Sequence, residues 1–172
     1  NISCSIGISF YPKDGETKVE LMKNADIAMY EAKKLGRNQY HFFTETLNET
    51  VQNAILLNRN MRLALENDEY ELFYQPKVDL ETSEITSVEA LIRWRTPEDG
   101  IINPDSFIQL AEDNNFIQEL GVWIIDEAIR QYVDWRKRNI DIAISINISA
   151  KQLLKPDFAE KLISKLRTNH IN

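Results

Sequence analysis

Two charged side chains lie on one face of a predicted strand. The stretch VEALIRWR, residues 88–95, has the composition of a strand whose successive side chains alternate between two faces. Glu89 and Arg93 share one of these faces. Burying a charge is costly unless the charge is paired or bound to a ligand. The strand rise separates the two residues by about 13 Å, so they cannot pair with each other. A ligand with a metal ion at one end and a phosphate at the other would satisfy both.

Two amide side chains are predicted to face the same way. Gln75, in the strand-like stretch ELFYQPKV, can point in the same direction as Glu89. Asn147 lies near the end of the predicted strand DIAISINIS, two residues before a helix cap, where α/β folds place their ligand groups. A lone Glu or Arg on a strand is most often a surface residue, and Gln and Asn often satisfy backbone groups. Because the four residues converge on one predicted face, the surface and binding-site interpretations are about equally supported.

Strands and helices alternate around these residues. YELFYQPKVDL and EITSVEALIRW flank the polar stretch ETSE, which predicts a β-hairpin. Asn103 and Pro104 have the types expected of an N-cap and a first helical residue. A helical pattern then runs to about Arg138, with a break predicted near Asn114 or Gly121. Strand–helix repetition of this kind predicts a parallel sheet or a barrel.

The strand DIAISINIS has two different faces. Isoleucines occupy every second position from residue 140 to residue 148, and small or polar residues occupy the other face. The isoleucine face requires helices packed against it. Ser149 and Gln152 then have the spacing of a capping box at the start of the next helix.

The first 43 residues predict a strand, a helix and a short strand. ISCSIGISFY alternates apolar and small residues from Ile2 onward, which is the period of a half-buried strand. Thr17 and Glu20 have capping-box spacing, and Gly36 is predicted to cap the C-terminus of the helix. NQYHFF predicts the second strand. Residues 44–68 then form a helix-like connector.

Composition excludes several classes of protein. The 172 residues carry 27 acidic and 20 basic side chains, a net charge of -7, which argues against a sequence-independent nucleic-acid binder. The single Cys4 excludes an intrachain disulfide framework and a multi-cysteine zinc site, and it fits a cytoplasmic location. No apolar run approaches the roughly 18 residues of a membrane span. We expect no membrane segment in this chain, and any anchor of a parent protein would precede it.

The stretch ADIAMYEAKKLGRNQY resembles the end of the GGDEF domain, the diguanylate cyclase family. That family ends in the pattern A-D-x-A-(L/M)-Y-x-A-K-x-x-G-R-N, which residues 25–38 match nearly throughout. The resemblance implies that Lys33 and Arg37 reach nucleotide phosphates. On spacing alone, these residues are a solvated helix end that suits the helix macrodipole. Because only about the last third of such a domain is covered, no cyclase active site is expected.

The remainder resembles the EAL domain, the cyclic di-GMP phosphodiesterase family. The matching motifs are Y-Q-P at 74–76, E-A-L-x-R-W at 89–94, P-x-x-F-I-x-x-A-E at 104–112 and N-x-S at 147–149. Several separate motifs in the family's order are a specific signal. A GGDEF end followed by an EAL start is also the usual tandem order in bacterial cyclic di-GMP proteins.

The EAL resemblance implies a function for each of the four converging residues. It implies that Glu89 and Asn147 are catalytic metal ligands for Mg²⁺ or Mn²⁺, that Arg93 binds a ligand phosphate and that Gln75 binds the ligand. Hard cations with oxygen ligands fit Glu89 and Asn147 chemically. The implied reaction opens cyclic di-GMP to linear pGpG by in-line attack of a metal-activated water.

The resemblances together predict the fold class and its boundaries. We expect an α/β chain in which residues 1–43 are the C-terminal part of a GGDEF α+β domain and residues 44–68 are a connector. Residues 69–172 would then be the first part of an EAL (β/α)₈-type barrel. From residue 69 the chain offers about 100 residues, against about 250 for a complete barrel. We therefore expect a fragment that is incomplete at both ends, inactive alone, from a parent phosphodiesterase.

The alternative is a degenerate GGDEF–EAL receptor that binds cyclic di-GMP or GTP without turnover. The intact EAL motif and the Arg93–Trp94 pair favour the enzyme. The expected partners are cyclic di-GMP, GTP at the GGDEF part, and a second copy of the protein through the EAL domain. Nucleic acid is not an expected partner.

Overall fold

A computed structural model describes residues 3–97 and 100–171. The chain divides into two compact units, Asn1–Leu57 and Asn58–Asn172. No helix within the described ranges combines the length and the apolar content that a bilayer span requires.

In the first unit, a helix separates two short parallel strands. β1 (Ile6–Ile8) pairs with β2 (Tyr40–Phe42), and α1 (Lys18–Lys34) lies between them in sequence. The predicted capping box at Thr17 is confirmed, since its hydroxyl accepts a hydrogen bond from the amide of Glu20, whose carboxylate accepts one from the amide of Thr17. β1 is shorter than the predicted alternation, and Ile2 lies outside the described residues.

The C-terminus of α1 differs from the prediction by one residue. Leu35 is the C-cap, and Gly36 follows it with φ of 116°, a conformation that suits glycine. Next in the chain, α2 (Glu45–Glu66) begins in the first unit. Its N-terminal turns pack there against the small core of Ala28 and Phe43.

The second unit is built on a four-stranded sheet. β3 (Tyr70–Val78) and β4 (Ile85–Thr96) form the predicted antiparallel hairpin. β6 (Ala143–Ile146) pairs with β4 in parallel, as strand–helix repetition predicted. β5 (Gly100–Ile102) pairs antiparallel with the end of β4 and was not predicted. Three residues are too few to show a period, so the pairing alone defines this strand.

Helices follow β5 and β6 in the chain and pack against the sheet. A 3₁₀ helix (Pro104–Ser106) leads into α3 (Ile108–Asp113), and α4 (Ile117–Lys137) follows. The predicted break near Asn114 is confirmed, whereas Gly121 lies buried inside α4. After β6 come α5 (Ala150–Leu153), with its predicted capping box, and α6 (Phe158–Thr168).

The alternation predicted for β4 is confirmed by burial. Its buried face consists of Val88, Ala90, Ile92 and Trp94, while Glu89 and Arg93 lie half-buried on the other face. Trp94 is 1% exposed, and its ring contacts Tyr70 and Phe107. Large side chains buried in this way stabilise a fold by about 1.5–3 kcal/mol each. The core therefore fixes which face of β4 is buried and which residues its other face presents. The isoleucines of 142–148 are only half-buried.

Candidate functional site

Strand register places three of the predicted site residues on one face of the sheet. Gln75 of β3 is the direct partner of Glu89, and Ser145 of β6 is the partner of Glu89 on its other side. Directly paired residues project to the same face of a sheet. Asn147 follows Ser145 by two residues, and its Nδ2 donates a hydrogen bond of 2.9 Å to Oε1 of Glu89. Glu89 and Asn147 are thus brought together across 58 residues of sequence.

Glu89 also contacts the ammonium group of a lysine. The Nζ of Lys77 lies 3.6 Å from Oε2 of Glu89 and donates a hydrogen bond of 3.5 Å to Oγ of Ser145. The pKa of Glu89 is lowered, mainly by the hydrogen bond from Asn147 and further by Lys77, while desolvation opposes the shift. The carboxylate therefore stays ionised at neutral pH. The sequence places Lys77 on the same strand face as Gln75, two residues further on, but the sequence interpretation did not assign it to the site.

Arg93 lies on the same face as Glu89 but has other partners. Its Nη1 donates to the backbone carbonyl of Ile92 at 2.8 Å, and its guanidinium lies 5.6 Å from the ring centroid of Phe73. No carboxylate in the described part of the chain forms an ion pair with it. Because a guanidinium has five N–H groups, most of them are free to bind an anion.

Gln75 is exposed, and its side-chain amide makes no hydrogen bond within residues 3–97 and 100–171. It lies opposite Glu89 in the strand pairing. The structure therefore places an unengaged amide beside the carboxylate, on the face that Asn147 shares.

A cavity of about 310 Å³ opens next to Asn147. Its walls include Leu91 from β4, Asp105 and Ile108 from the helical segment after β5, and Ser149 from the turn after β6. Ligand pockets are usually apolar clefts of about 300–1,000 Å³ with a few convergent polar groups. The volume lies at the lower end of that range.

The donor chemistry suits a hard divalent cation in part. Glu89 and Asn147 offer carboxylate and amide oxygens, which Mg²⁺ and Mn²⁺ prefer. Within the described ranges no three His, Cys, Asp or Glu residues are grouped as a metal site. The pair thus supplies two oxygen donors of the about six that such ions take.

Lys33 and Arg37 belong to the first unit, apart from the residues above. Lys33 lies in the last turn of α1, and Arg37 follows the helix with φ of 63°. Both side chains are exposed, and neither forms an ion pair with another described residue. This geometry fits both the phosphate-binding interpretation and the solvated helix end.

Comparison with known proteins agrees with the motif order. Residues 58–172 match the EAL domain family, and residues 1–39 match the family described as diguanylate cyclase, GGDEF domain. The predicted tandem order is therefore confirmed.

Two curated relatives are similar over most of this chain. Cyclic di-GMP phosphodiesterase PdeR of Escherichia coli (strain K12) is 43% identical over 151 residues, which cover 88% of this chain and 23% of PdeR. MucR of Pseudomonas aeruginosa, described as a bifunctional diguanylate cyclase/cyclic di-GMP phosphodiesterase, is 46% identical over 152 residues, 88% of this chain and 22% of MucR. The chain thus spans about a fifth of the length of these relatives.

A solved structure has the same fold. The PaMucR phosphodiesterase, in complex with c-di-GMP, superposes with a TM-score of 0.64 at 34% identity, covering 67% of this chain and 47% of that one.

Proposed function

Because this chain belongs to the EAL domain family, we propose that the full-length protein hydrolyses cyclic di-GMP to linear pGpG with a divalent metal. The observation that carries the proposal is the contact of Asn147 with Glu89, two family motifs that meet on one face of the sheet. PdeR and MucR carry phosphodiesterase names, and the PaMucR structure contains the cyclic dinucleotide.

In this proposal Glu89 and Asn147 hold Mg²⁺ or Mn²⁺. A divalent ion held there would supply an activated water for hydrolysis of the phosphodiester. The carboxylate of Glu89 is anionic at neutral pH, and its hydrogen bond from Asn147 lowers its pKa further. The amide of Asn147 donates to that carboxylate in the structure and can turn its carbonyl oxygen toward a cation.

The neighbouring residues would bind the substrate. Arg93 offers N–H donors to a phosphate oxygen, and charge-assisted bonds of this type are about twice as strong as neutral ones. Gln75 offers an unengaged amide beside Glu89. The arrangement separates a cation site from an anion site along β4, which suits a ligand with a metal ion at one end and a phosphate at the other.

A substitution at Glu89 tests the proposal. Glu89→Gln keeps the shape of the side chain but removes the anionic oxygen, so Mn²⁺ binding and pGpG production by the full-length protein should both collapse. Glu84→Gln is the matched control, since Glu84 lies in the turn of the same hairpin. Mn²⁺ affinity, hydrolysis rate and melting temperature are measured for all three proteins.

The outcomes separate the candidates. A Glu89→Gln protein that keeps its metal and its turnover would end the catalytic interpretation of this strand. Tight binding of cyclic di-GMP by the unaltered protein without any pGpG would identify the receptor alternative instead. Activity that falls only with the folded fraction would assign Glu89 a structural role.

The proposed GGDEF–EAL assignment also suggests two further binding partners. GTP would bind the GGDEF part through Lys33 and Arg37, and a second copy would bind through the EAL domain. The single Cys4 supports a cytoplasmic location.

A further inference from the structure

The turn that follows Asn147 is held by several side-chain hydrogen bonds. The hydroxyl of Ser149 donates to Oε1 of Glu112 at 2.6 Å and accepts from the amide of Lys151 at 3.2 Å. The amide of Ser149 donates to Oε1 of Gln152 at 3.0 Å. A four-residue helix would need only the capping bonds. The bond to Glu112 ties the turn to a different element, α3.

The side chain of Gln152 packs against α4 at Gly121, where the glycine has no side chain. Gln152 is 3% exposed, one of two buried polar side chains among the described residues. A Cβ atom on Gly121 would lie 1.8 Å from its Nε2. Glycine at this helix position therefore makes room for the side chain that caps Ser149. Gly121 lies in the interior of α4, where glycine is less favourable than alanine.

Lys151 adds two contacts to the same helices. Its Nζ donates to the backbone carbonyl of Glu112 at 2.6 Å, and its own carbonyl accepts from Nε2 of Gln118 at 3.0 Å. The turn of residues 149–152 is thus anchored to α3 through Glu112 and to α4 through Gly121 and Gln118.

Asn147 itself has far less support. Asn147 is exposed and lies one residue beyond the end of β6. Among the described residues, its side chain makes one hydrogen bond, to Glu89. Only Ile148 separates it from Ser149. The backbone that carries Asn147 is therefore fixed by the strand on one side and by the anchored turn on the other.

We propose that Glu112 and Gln152 are positioning residues that hold Asn147 against Glu89 through the Ser149 turn. The inference rests on the proposed function, because the consequence concerns the metal that Glu89 and Asn147 would share. Partners that orient metal ligands typically change metal affinity by about 10- to 100-fold when removed. Glu112 acts through one more residue, so about tenfold is expected.

The test compares Glu112→Ala, Glu112→Gln and Thr17→Ala in the full-length protein. Glu112→Gln keeps an oxygen that can accept from Ser149, so it should retain most of the function. Thr17→Ala removes a side-chain hydrogen bond at the start of α1, far from Asn147 in sequence, and controls for the general effect of losing such a bond at a helix start. Two quantities are measured: deuterium uptake of residues 143–153 without metal, and the Mn²⁺ affinity of the site that Glu89→Gln abolishes.

We expect Glu112→Ala to raise deuterium uptake of residues 143–153 and to weaken Mn²⁺ binding about tenfold. Glu112→Gln should behave nearly like the unaltered protein in both measurements. Thr17→Ala should change neither quantity. Faster exchange with unchanged Mn²⁺ affinity would show a merely structural contact and overturn the inference alone. If the unaltered protein has no Mn²⁺ site that depends on Glu89, the proposed function fails, and the inference falls with it.

Discussion

At the scale of single residues, β4 presents two charges that have different surroundings. Glu89 contacts the ammonium group of Lys77 and the amide of Asn147, whereas Arg93 contacts a backbone carbonyl and an aromatic ring and forms no ion pair with a carboxylate in residues 3–97 and 100–171. A carboxylate that is held ionised suits a cation, and a guanidinium without a carboxylate partner suits an incoming anion. These different surroundings support the proposal that the two residues bind different parts of one ligand.

Arg93→Ala should weaken binding of cyclic di-GMP while Mn²⁺ affinity stays unchanged. A hydrogen bond to a charged group contributes about 1.5–3 kcal/mol, so affinity should fall by about 10- to 100-fold. Calorimetry without added divalent metal measures ligand binding while hydrolysis is suppressed. Arg95→Ala is the matched control, since the guanidinium of Arg95 is already paired with Glu71 at 2.7 Å. Equal losses in both variants would show a nonspecific charge effect.

At the scale of elements, the β3–β4 hairpin sets the register that places Gln75 opposite Glu89. Its turn is held by Asp79, whose Oδ1 accepts from the amides of Glu81 and Thr82 at 2.9 Å each. These hydrogen bonds lower the pKa of Asp79, and the bond from the amide of Thr82 has the largest effect. The turn thus depends on an ionised carboxylate.

Because the pKa of Asp79 is lowered in the fold, folding stability should depend on pH in a defined direction. The stabilisation from Asp79 is fully present above the ordinary aspartate pKa and is lost as pH falls toward the lowered value in the fold. Asp79→Asn does not titrate, so its melting temperature should fall less steeply in acid than that of the unaltered protein. Asp68→Asn, at an exposed aspartate outside the hairpin, is the control. Parallel melting curves for Asp79→Asn and the unaltered protein across the acid range would contradict the prediction.

At the scale of the whole molecule, the two candidate sites lie in separate compact units. Lys33 and Arg37 belong to Asn1–Leu57, while Glu89 and Asn147 belong to Asn58–Asn172. Each unit has its own buried side chains, including Ala28 in the first and Trp94 in the second. Loss of charge in one unit should therefore leave the chemistry of the other intact.

Changing Lys33 and Arg37 together to Ala should weaken GTP binding by the full-length protein and leave cyclic di-GMP hydrolysis unchanged. The physical reason is the loss of two cations that would face phosphates, while the residues around Glu89 keep their contacts. Lys34→Ala, in the same last turn of α1, is the control for general charge. Unchanged GTP affinity by calorimetry would return Lys33 and Arg37 to the solvated-helix interpretation.

The sequence by itself determined the features that local patterns encode. Period-two alternation identified the buried face of β4, and the spacing of Thr17 with Glu20 and of Ser149 with Gln152 identified two helix starts. Motif order identified the family. These signals are local because a strand face or a cap depends on residues only a few positions apart.

Only the tertiary structure decided which distant side chains meet. Lys77 and Ser145 are 68 residues apart, Glu112 and Ser149 are 37 apart, and the fit of Gln152 against Gly121 joins α5 to α4. β5 likewise exists as a strand only because β4 pairs with it. No periodicity reports such contacts, since they depend on how the sheet and helices pack together. The residues proposed to bind the metal are therefore visible in the sequence, whereas the contacts proposed to position Asn147 are visible only in the fold.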